Sequence, residues 1–216
     1  MRYQLAIFDM DGTILNTLQD LTNSLNAALQ LSGYPQHTLE EVRFFVGNGI
    51  RKLIERGVPA GTPVTQIDKV HQDFTEHYRV HCADTTQPYA GIPELLQQLR
   101  NAGYKTAVVS NKADYAVQEL CKQYFDGMFD FAVGERKNIL KKPAPDSVNE
   151  VLQQLQTDRS QAVYIGDSDV DVETAKNAKM DGIFVDWGFR SRAFLLEHGA
   201  KTIVSKPAEL AEQILG

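Results

Sequence analysis

The chain is poor in residues that staple or anchor a protein. Its 216 residues include only two cysteines, Cys82 and Cys121, well separated along the sequence. That is too few for a disulfide framework and fits a reducing compartment, so a cytoplasmic location is expected. No apolar run approaches the roughly 20 residues that a membrane-spanning helix needs, which argues against a membrane partner. Met1-Arg2-Tyr3-Gln4 leads straight into an apolar segment, so no leader peptide is expected. Positive charge is not in excess either. A net charge of −6 speaks against nonspecific nucleic-acid binding. Repeats and low-complexity stretches are missing too. With 43% hydrophobic and 23% charged residues, the sequence reads as a soluble globular protein holding one ample core, or a core plus a small insert.

What is present is concentrated in a few short motifs. Asp9-Met10-Asp11-Gly12-Thr13 directly follows the apolar run Leu5-Ala6-Ile7-Phe8. Two carboxylates one residue apart at the mouth of a buried strand repel each other and lose solvation. A fold tolerates that most readily when a cation sits between them or when they do acid–base and nucleophilic work. Gly12 and Thr13 add a tight turn and a hydroxyl, an arrangement suited to a phosphate as well as a metal. Further along, Val108-Val109-Ser110-Asn111 is an apolar run ending in a hydroxyl and an amide. Lys142 directly precedes Pro143, and Ala162–Gly166 is an apolar strand ending in Asp167, followed by Asp169 and Asp171. Lys142 apart, these groups fall at the carboxyl ends of expected strands, the edge where open α/β sheets bind ligands.

Periodicity predicts strands near 4–9, 105–110, 129–133, 162–166 and 182–185, with helices at 93–102, 114–124, 146–156, 170–179 and 207–215. That alternation implies a parallel sheet with helices on both faces, an α/β Rossmann-like core. The rhythm breaks between residues 17 and 85. There Leu18, Leu21, Leu25, Ala28 and Leu29 recur at helical spacing, as do Val70, Phe74, His77, Tyr78 and His81. The expected organisation is a catalytic core over 1–16 and 86–216, with an all-α cap over 17–85 inserted after the first strand.

The four motifs, D-M-D-G-T, S-N, K-P and G-D-S-D-V-D, resemble those of the haloacid dehalogenase-like hydrolases. Closer still is the resemblance to the branch of phosphoglycolate phosphatases, β-phosphoglucomutases and small pyrophosphatases, and Val46-Gly47-Asn48-Gly49 and Pro88-Tyr89-Ala90-Gly91-Ile92 are similar to its phosphoglycolate phosphatase-like members. The resemblance covers essentially the whole chain and implies roles residue by residue. Asp9 is the nucleophile that forms an aspartyl-phosphate. Asp11 is the general acid–base, first protonating the leaving alkoxide and then taking a proton from water. Ser110, with Asn111 beside it, binds phosphoryl oxygens, and Gly12 and Thr13 complete the phosphate loop. Lys142, rather than Lys141, places a cation on the phosphoryl group and on Asp9. The Asp9 carboxylate, the Asp11 carbonyl and Asp167 offer hard oxygen ligands for Mg²⁺, with Asp171 orienting that shell or binding through water. The donor set accepts Mn²⁺ as well.

In the cap, Gly47, Asn48 and Gly49 break the helical pattern and Arg51 lies in the first turn of the next helix. The functional expectation is that this loop meets the end of the substrate remote from phosphorus. The competing expectation is that Arg51 pairs with Glu55 and other surface acids. His77 and His81 read as packing or surface residues, and Trp187 and Phe189 as loop anchors. Two positions depart from the family pattern. Asn16 stands before Thr17 where relatives carry an acid, and no cap lysine suits a Schiff base.

The resemblance thus implies an Mg²⁺-dependent phosphatase acting on a small phosphorylated metabolite, with 2-phosphoglycolate the leading substrate and a monomer or homodimer as the working state. Its rivals within the fold are a sugar-phosphate mutase and a pyrophosphatase. The presence of Asp11 disfavours a dehalogenase, and the full set of motif residues disfavours a non-catalytic binding protein.

Overall fold

The structure, a computed structural model, describes residues 2–216. It divides into two compact units, Met1–Leu15 with Pro88–Gly216, and Asn16–Gln87. Along the chain, β1 (Leu5–Phe8) is followed by the short β2 (Leu15–Asn16). Helices α1 (Leu18–Leu31), α2 (Leu39–Phe45), α3 (Ile50–Gly57) and α4 (Val64–His81) come next, then the short β3 (Gln87–Pro88). The first unit resumes with α5 (Ile92–Asn101), β4 (Lys105–Ala113), α6 (Asp114–Tyr124), β5 (Phe131–Glu135), α7 (Asp146–Gln154), β6 (Ala162–Gly166), α8 (Asp169–Asn177), β7 (Asp181–Val185), α9 (Arg192–Glu197), β8 (Ile203–Val204) and α10 (Pro207–Leu215).

The first unit is an α/β fold. Among the described residues its sheet runs β5-β4-β1-β6-β7-β8, and the pairings are parallel. A parallel sheet flanked by helices buries both faces of its strands, which is why Leu5–Phe8 and Ala162–Gly166 are continuous buried runs. Leu5, Ile7, Ala107, Val109, Val148 and Tyr164 lie in one hydrophobic cluster. Each large apolar side chain there contributes roughly 1.5–3 kcal/mol through burial. β1 sits centrally, with β4 on one side and β6 on the other. The chain order therefore reverses beside β1, the position whose carboxyl edge binds ligands in open α/β sheets.

The structure adds detail that periodicity did not supply. β5 begins at Phe131, not at residue 129, because the Asp130 carboxylate accepts from the Thr106 amide (2.8 Å) in place of a backbone carbonyl. α9 and β8 were not expected. At six and two residues they are too short to show a period, and α9 is started by Ser191 Oγ accepting from the Phe194 amide.

The second unit is helical, with Leu18, Leu21, Leu25, Ala28 and Leu29 of α1 buried, as are Val70, Phe74 and Tyr78 of α4. α2 starts in a reciprocal cap between Thr38 and Glu41. A buried acid, Asp20, ties the start of α1 to the returning chain. Its carboxylate accepts from the amides of Thr85 (3.0 Å) and Thr86 (2.8 Å) and from both hydroxyls, at 2.5 and 2.8 Å. Burial acts to raise the Asp20 pKa, but these donors outweigh it and hold it below the usual carboxylate range. Asp20→Ala would strand two amides that lie against it, so a loss of about 2–4 kcal/mol is expected in chemical denaturation. A carboxylate with a lowered folded pKa stabilises fully above its unfolded value near 3.8, and that contribution disappears as pH falls through this range. Asp20→Asn should flatten that part of the stability profile.

Candidate active site

The site is built at the carboxyl ends of β1, β4 and β6. The Asp9 amide donates to the Ile165 carbonyl (2.8 Å), which extends the sheet ladder by one residue and fixes where its carboxylate emerges. The chain then turns sharply, with the amides of Thr13, Ile14 and Leu15 converging on the Met10 carbonyl and Gly12 at φ +84°. A side chain at Gly12 would also overlap the Asp167 carboxylate, so glycine is required twice over.

Asp9, Asp167 and Asp171 form a buried acidic cluster whose ligand atoms lie within 4.8 Å of one another. Burial is the main reason Asp9 is pushed up to about 7. Lys142 opposes that shift, while Asp171 and Asp11 add to it. Burial and the charges of Asp171 and Asp9 likewise hold Asp167 well above its usual value. Such mutual repulsion marks a place that favours a cation. The hard carboxylate oxygens of Asp9 and Asp167 fit Mg²⁺ or a similar ion.

Lys142 is the cation already present. Its Nζ lies 2.9 Å from Asp9 Oδ1 and 2.8 Å from Asp171 Oδ1, and its side chain is 2% exposed. Burial works against that charge, but Asp171 and Asp9 outweigh it and keep the ammonium well above its usual pKa. Asp171 is itself held on all sides. Oδ1 accepts from Lys142 and from the Tyr164 hydroxyl (3.0 Å), and Oδ2 accepts from the Ser168 amide and hydroxyl and the Asp167 amide. It therefore anchors Lys142 and the start of α8, which fits an orienting role better than direct ligation.

Thr13 Oγ1 donates to Asp167 Oδ1 (3.1 Å), so its hydroxyl lies on the acid. Ser110 and Asn111 are buried. The Asn111 amide donates to the Lys142 carbonyl (3.0 Å), joining the end of β4 to the Lys142 loop. The β4–β5 ladder shifts register between Val109 and Ala113, a bulge that re-aims Ser110, Asn111 and Lys112.

A family model described as haloacid dehalogenase-like hydrolase matches residues 6–185. The chain belongs to the haloacid dehalogenase-like hydrolases. Within them it lies in the phosphoglycolate phosphatase-like branch. A phosphoglycolate phosphatase of Aquifex aeolicus is 31% identical over 195 residues, 86% of each chain. An N-acetylmuramic acid 6-phosphate phosphatase of Pseudomonas aeruginosa is 29% identical, over 98% of this chain and 95% of that one. A solved structure from Lactobacillus delbrueckii subsp. bulgaricus, described as a candidate phosphoglycolate phosphatase, superposes with a TM-score of 0.96 at 42% identity and full coverage of both chains.

Several residues of this hydrolase site carried no clear sequence signal. Tyr164, buried in β6, donates to Asp171 and receives from Lys142 (3.1 Å). It reads in sequence as one more apolar strand position. The loop after β7 braces Asp167, with the Phe189 amide donating to Asp167 Oδ2 (2.7 Å), and Trp187 Nε1 donates to the Thr13 carbonyl (3.1 Å). Trp187 and Phe189 are thus anchors, as their positions suggested. Between them, a Cβ on Gly188 would overlap the Gly12 carbonyl and the Asp167 carboxylate. Gly188→Ala should displace both, and a fall of at least about 10-fold in kcat/KM with a largely intact fold is expected from steady-state kinetics beside circular dichroism.

The loop residues of the helical unit are placed by neighbours in that unit. Gly47 (φ +112°) and Gly49 (φ +85°) adopt backbone that favours glycine, and the Asn48 side chain accepts from Arg56 (2.8 Å). Arg51 pairs with Glu55 (3.0 Å) and with Asp68, the pairing named as the alternative to a substrate role. His77 bonds Ser24 (3.0 Å) and His81 bonds Asp84 (2.7 Å), in keeping with packing and surface positions. Among the described residues no helix is long and apolar enough to cross a membrane.

Proposed function

We propose that this hydrolase is an Mg²⁺-dependent phosphatase that cleaves a small phosphate monoester through an aspartyl-phosphate, with 2-phosphoglycolate the leading substrate. The observation that carries the reading is the contact of Lys142 Nζ with Asp9 Oδ1 at 2.9 Å inside the buried acidic cluster. A nucleophilic carboxylate must meet an anionic phosphoryl group, and a fixed cation beside it offsets that repulsion. Asp9 and Asp167, with the Asp11 carbonyl, would hold the metal. When bound, that ion neutralises phosphoryl charge and favours the ionised form of Asp9.

Asp9 attacks phosphorus, the bond from phosphorus to the ester oxygen breaks, and Asp11 gives its proton to the departing alkoxide. Water then attacks phosphorus, Asp11 takes its proton back, and the Asp9–phosphorus bond opens to release phosphate. Lys142 stays on the phosphoryl oxygens throughout, with Ser110 as a hydrogen-bond donor, because charge remains there in both steps. Tyr164 and Asp171 keep the ammonium aimed, so neither step waits for reorganisation.

Product analysis tests the reading. Purified enzyme is incubated with 2-phosphoglycolate, N-acetylmuramic acid 6-phosphate, a sugar 1-phosphate and pyrophosphate, with and without Mg²⁺. Free phosphate, highest in kcat/KM for phosphoglycolate, is expected. An isomerised sugar phosphate would make the protein a mutase, and preference for pyrophosphate would make it a pyrophosphatase.

A further inference from the structure

A second buried lysine lies against Asp11, the partner acid of the proposed nucleophile. Lys112 Nζ is 3.0 Å from Asp11 Oδ1, with its side chain 2% exposed against 20% for Asp11. Lys142 lies with Asp9 and Asp171, on the side of the phosphoryl group. Lys112 lies with the acid that serves the leaving oxygen. A buried ion pair is a weak source of stability, and a well-packed apolar side chain in its place is often as good or better. A desolvated ammonium against the proposed general acid therefore points to a role beyond folding.

We propose that Lys112 is a specificity-determining residue that binds an anionic group on the leaving alcohol, close to the ester oxygen. The geometry sets the reach. Asp11 must come within a hydrogen bond of the ester oxygen, roughly 2.6–3.2 Å, to protonate it. Lys112 Nζ, 3.0 Å from Asp11 Oδ1, then lies within about 6 Å of the ester oxygen when Oδ1 carries the proton. A carboxylate on the carbon next to the ester linkage falls well inside this radius, whereas a charge many bonds away does not. The ligand class is therefore the phosphate ester of an α-hydroxy acid. The inference rests on the phosphatase reading and refines it.

The test compares two esters that differ only in charge, 2-phosphoglycolate and 2-hydroxyethyl phosphate, in wild type, Lys112→Met and Lys112→Arg. The readout is the ratio of the two kcat/KM values within each preparation, which does not depend on the fraction of folded enzyme. Wild type should favour the carboxylate ester, and Lys112→Met should shrink that preference by about 10- to 150-fold, the effect of losing a charge-assisted hydrogen bond. Lys112→Arg should retain part of it. An unchanged ratio in Lys112→Met, with both esters slowed alike, would mean that Lys112 only holds Asp11 and would overturn the inference. So would a wild type with no preference, although the phosphatase reading would stand. Release of phosphate from no ester at all would instead sink the phosphatase reading itself.

Discussion

Asp9→Asn is expected to abolish turnover, with kcat falling by at least about 10³-fold. The carboxamide nearly matches the carboxylate in shape but is a poor nucleophile, and Lys142 has a second partner in Asp171, 2.8 Å away. The fold should survive. In the metal-free protein the substitution should even be stabilising at neutral pH and above. The folded pKa of Asp9 is raised from 3.8 to about 7. Between those values the folded state binds a proton that the unfolded state has lost, so stability falls as pH rises. Removing the acid removes that slope. Rapid-quench detection of an acid-stable, hydroxylamine-sensitive phosphoenzyme in wild type, missing from Asp9→Asn, would report the covalent step directly. Turnover near the wild-type rate in the variant would refute it.

The second large effect is expected from the metal. Chelation should reduce phosphate release by about 100-fold or more, Mg²⁺ should restore it, and Ca²⁺ should bind without supporting turnover. Mg²⁺ demands near-octahedral geometry, whereas Ca²⁺ takes more oxygens at longer distance and would compete for the oxygen with which Asp9 attacks. Binding should also be visible without any chemistry. The cluster of Asp9, Asp167 and Asp171 stores repulsion that a divalent ion relieves. At 100 times its dissociation constant such an ion adds about 2.7 kcal/mol to folding stability. Thermal unfolding of wild type should therefore shift upward with Mg²⁺, and Asp167→Asn should lose most of that shift. Full activity in excess chelator, or no shift in melting, would remove the metal from the account.

Much of this chain was legible before folding. Three strand-end motifs and the Lys142-Pro143 pair pointed to the proposed chemistry, since a strand buried on both faces must be apolar and a carboxylate at its end has few other reasons to be there. Alternating strand and helix patterns carried the parallel sheet, and the matched family and solved relatives agree with it. The resemblance to the family also favoured Lys142 over Lys141, because only the former holds the family's position before Pro143; in the structure Lys142 pairs with Asp9 and Asp171, and Lys141 with the half-exposed Glu135.

Tertiary structure alone decided the rest, because it concerns which groups meet. The four motifs lie up to 162 residues apart (Asp9 to Asp171), and the strand order that brings them together leaves no local trace. Lys112 carried no signal in the sequence, lying beyond an expected strand end at residue 110; β4 runs on to Ala113 through a shift in register, and Lys112 is buried against Asp11. Tyr164 read as an apolar strand residue, and its hydroxyl acquired meaning only when Lys142 and Asp171 were packed around it. Gly188 is an ordinary loop glycine until the Gly12 carbonyl and the Asp167 carboxylate occupy the space that a side chain would need. Residue type and period fix what a segment can do locally, whereas charge pairing, desolvation and steric exclusion depend on neighbours that only the folded chain supplies.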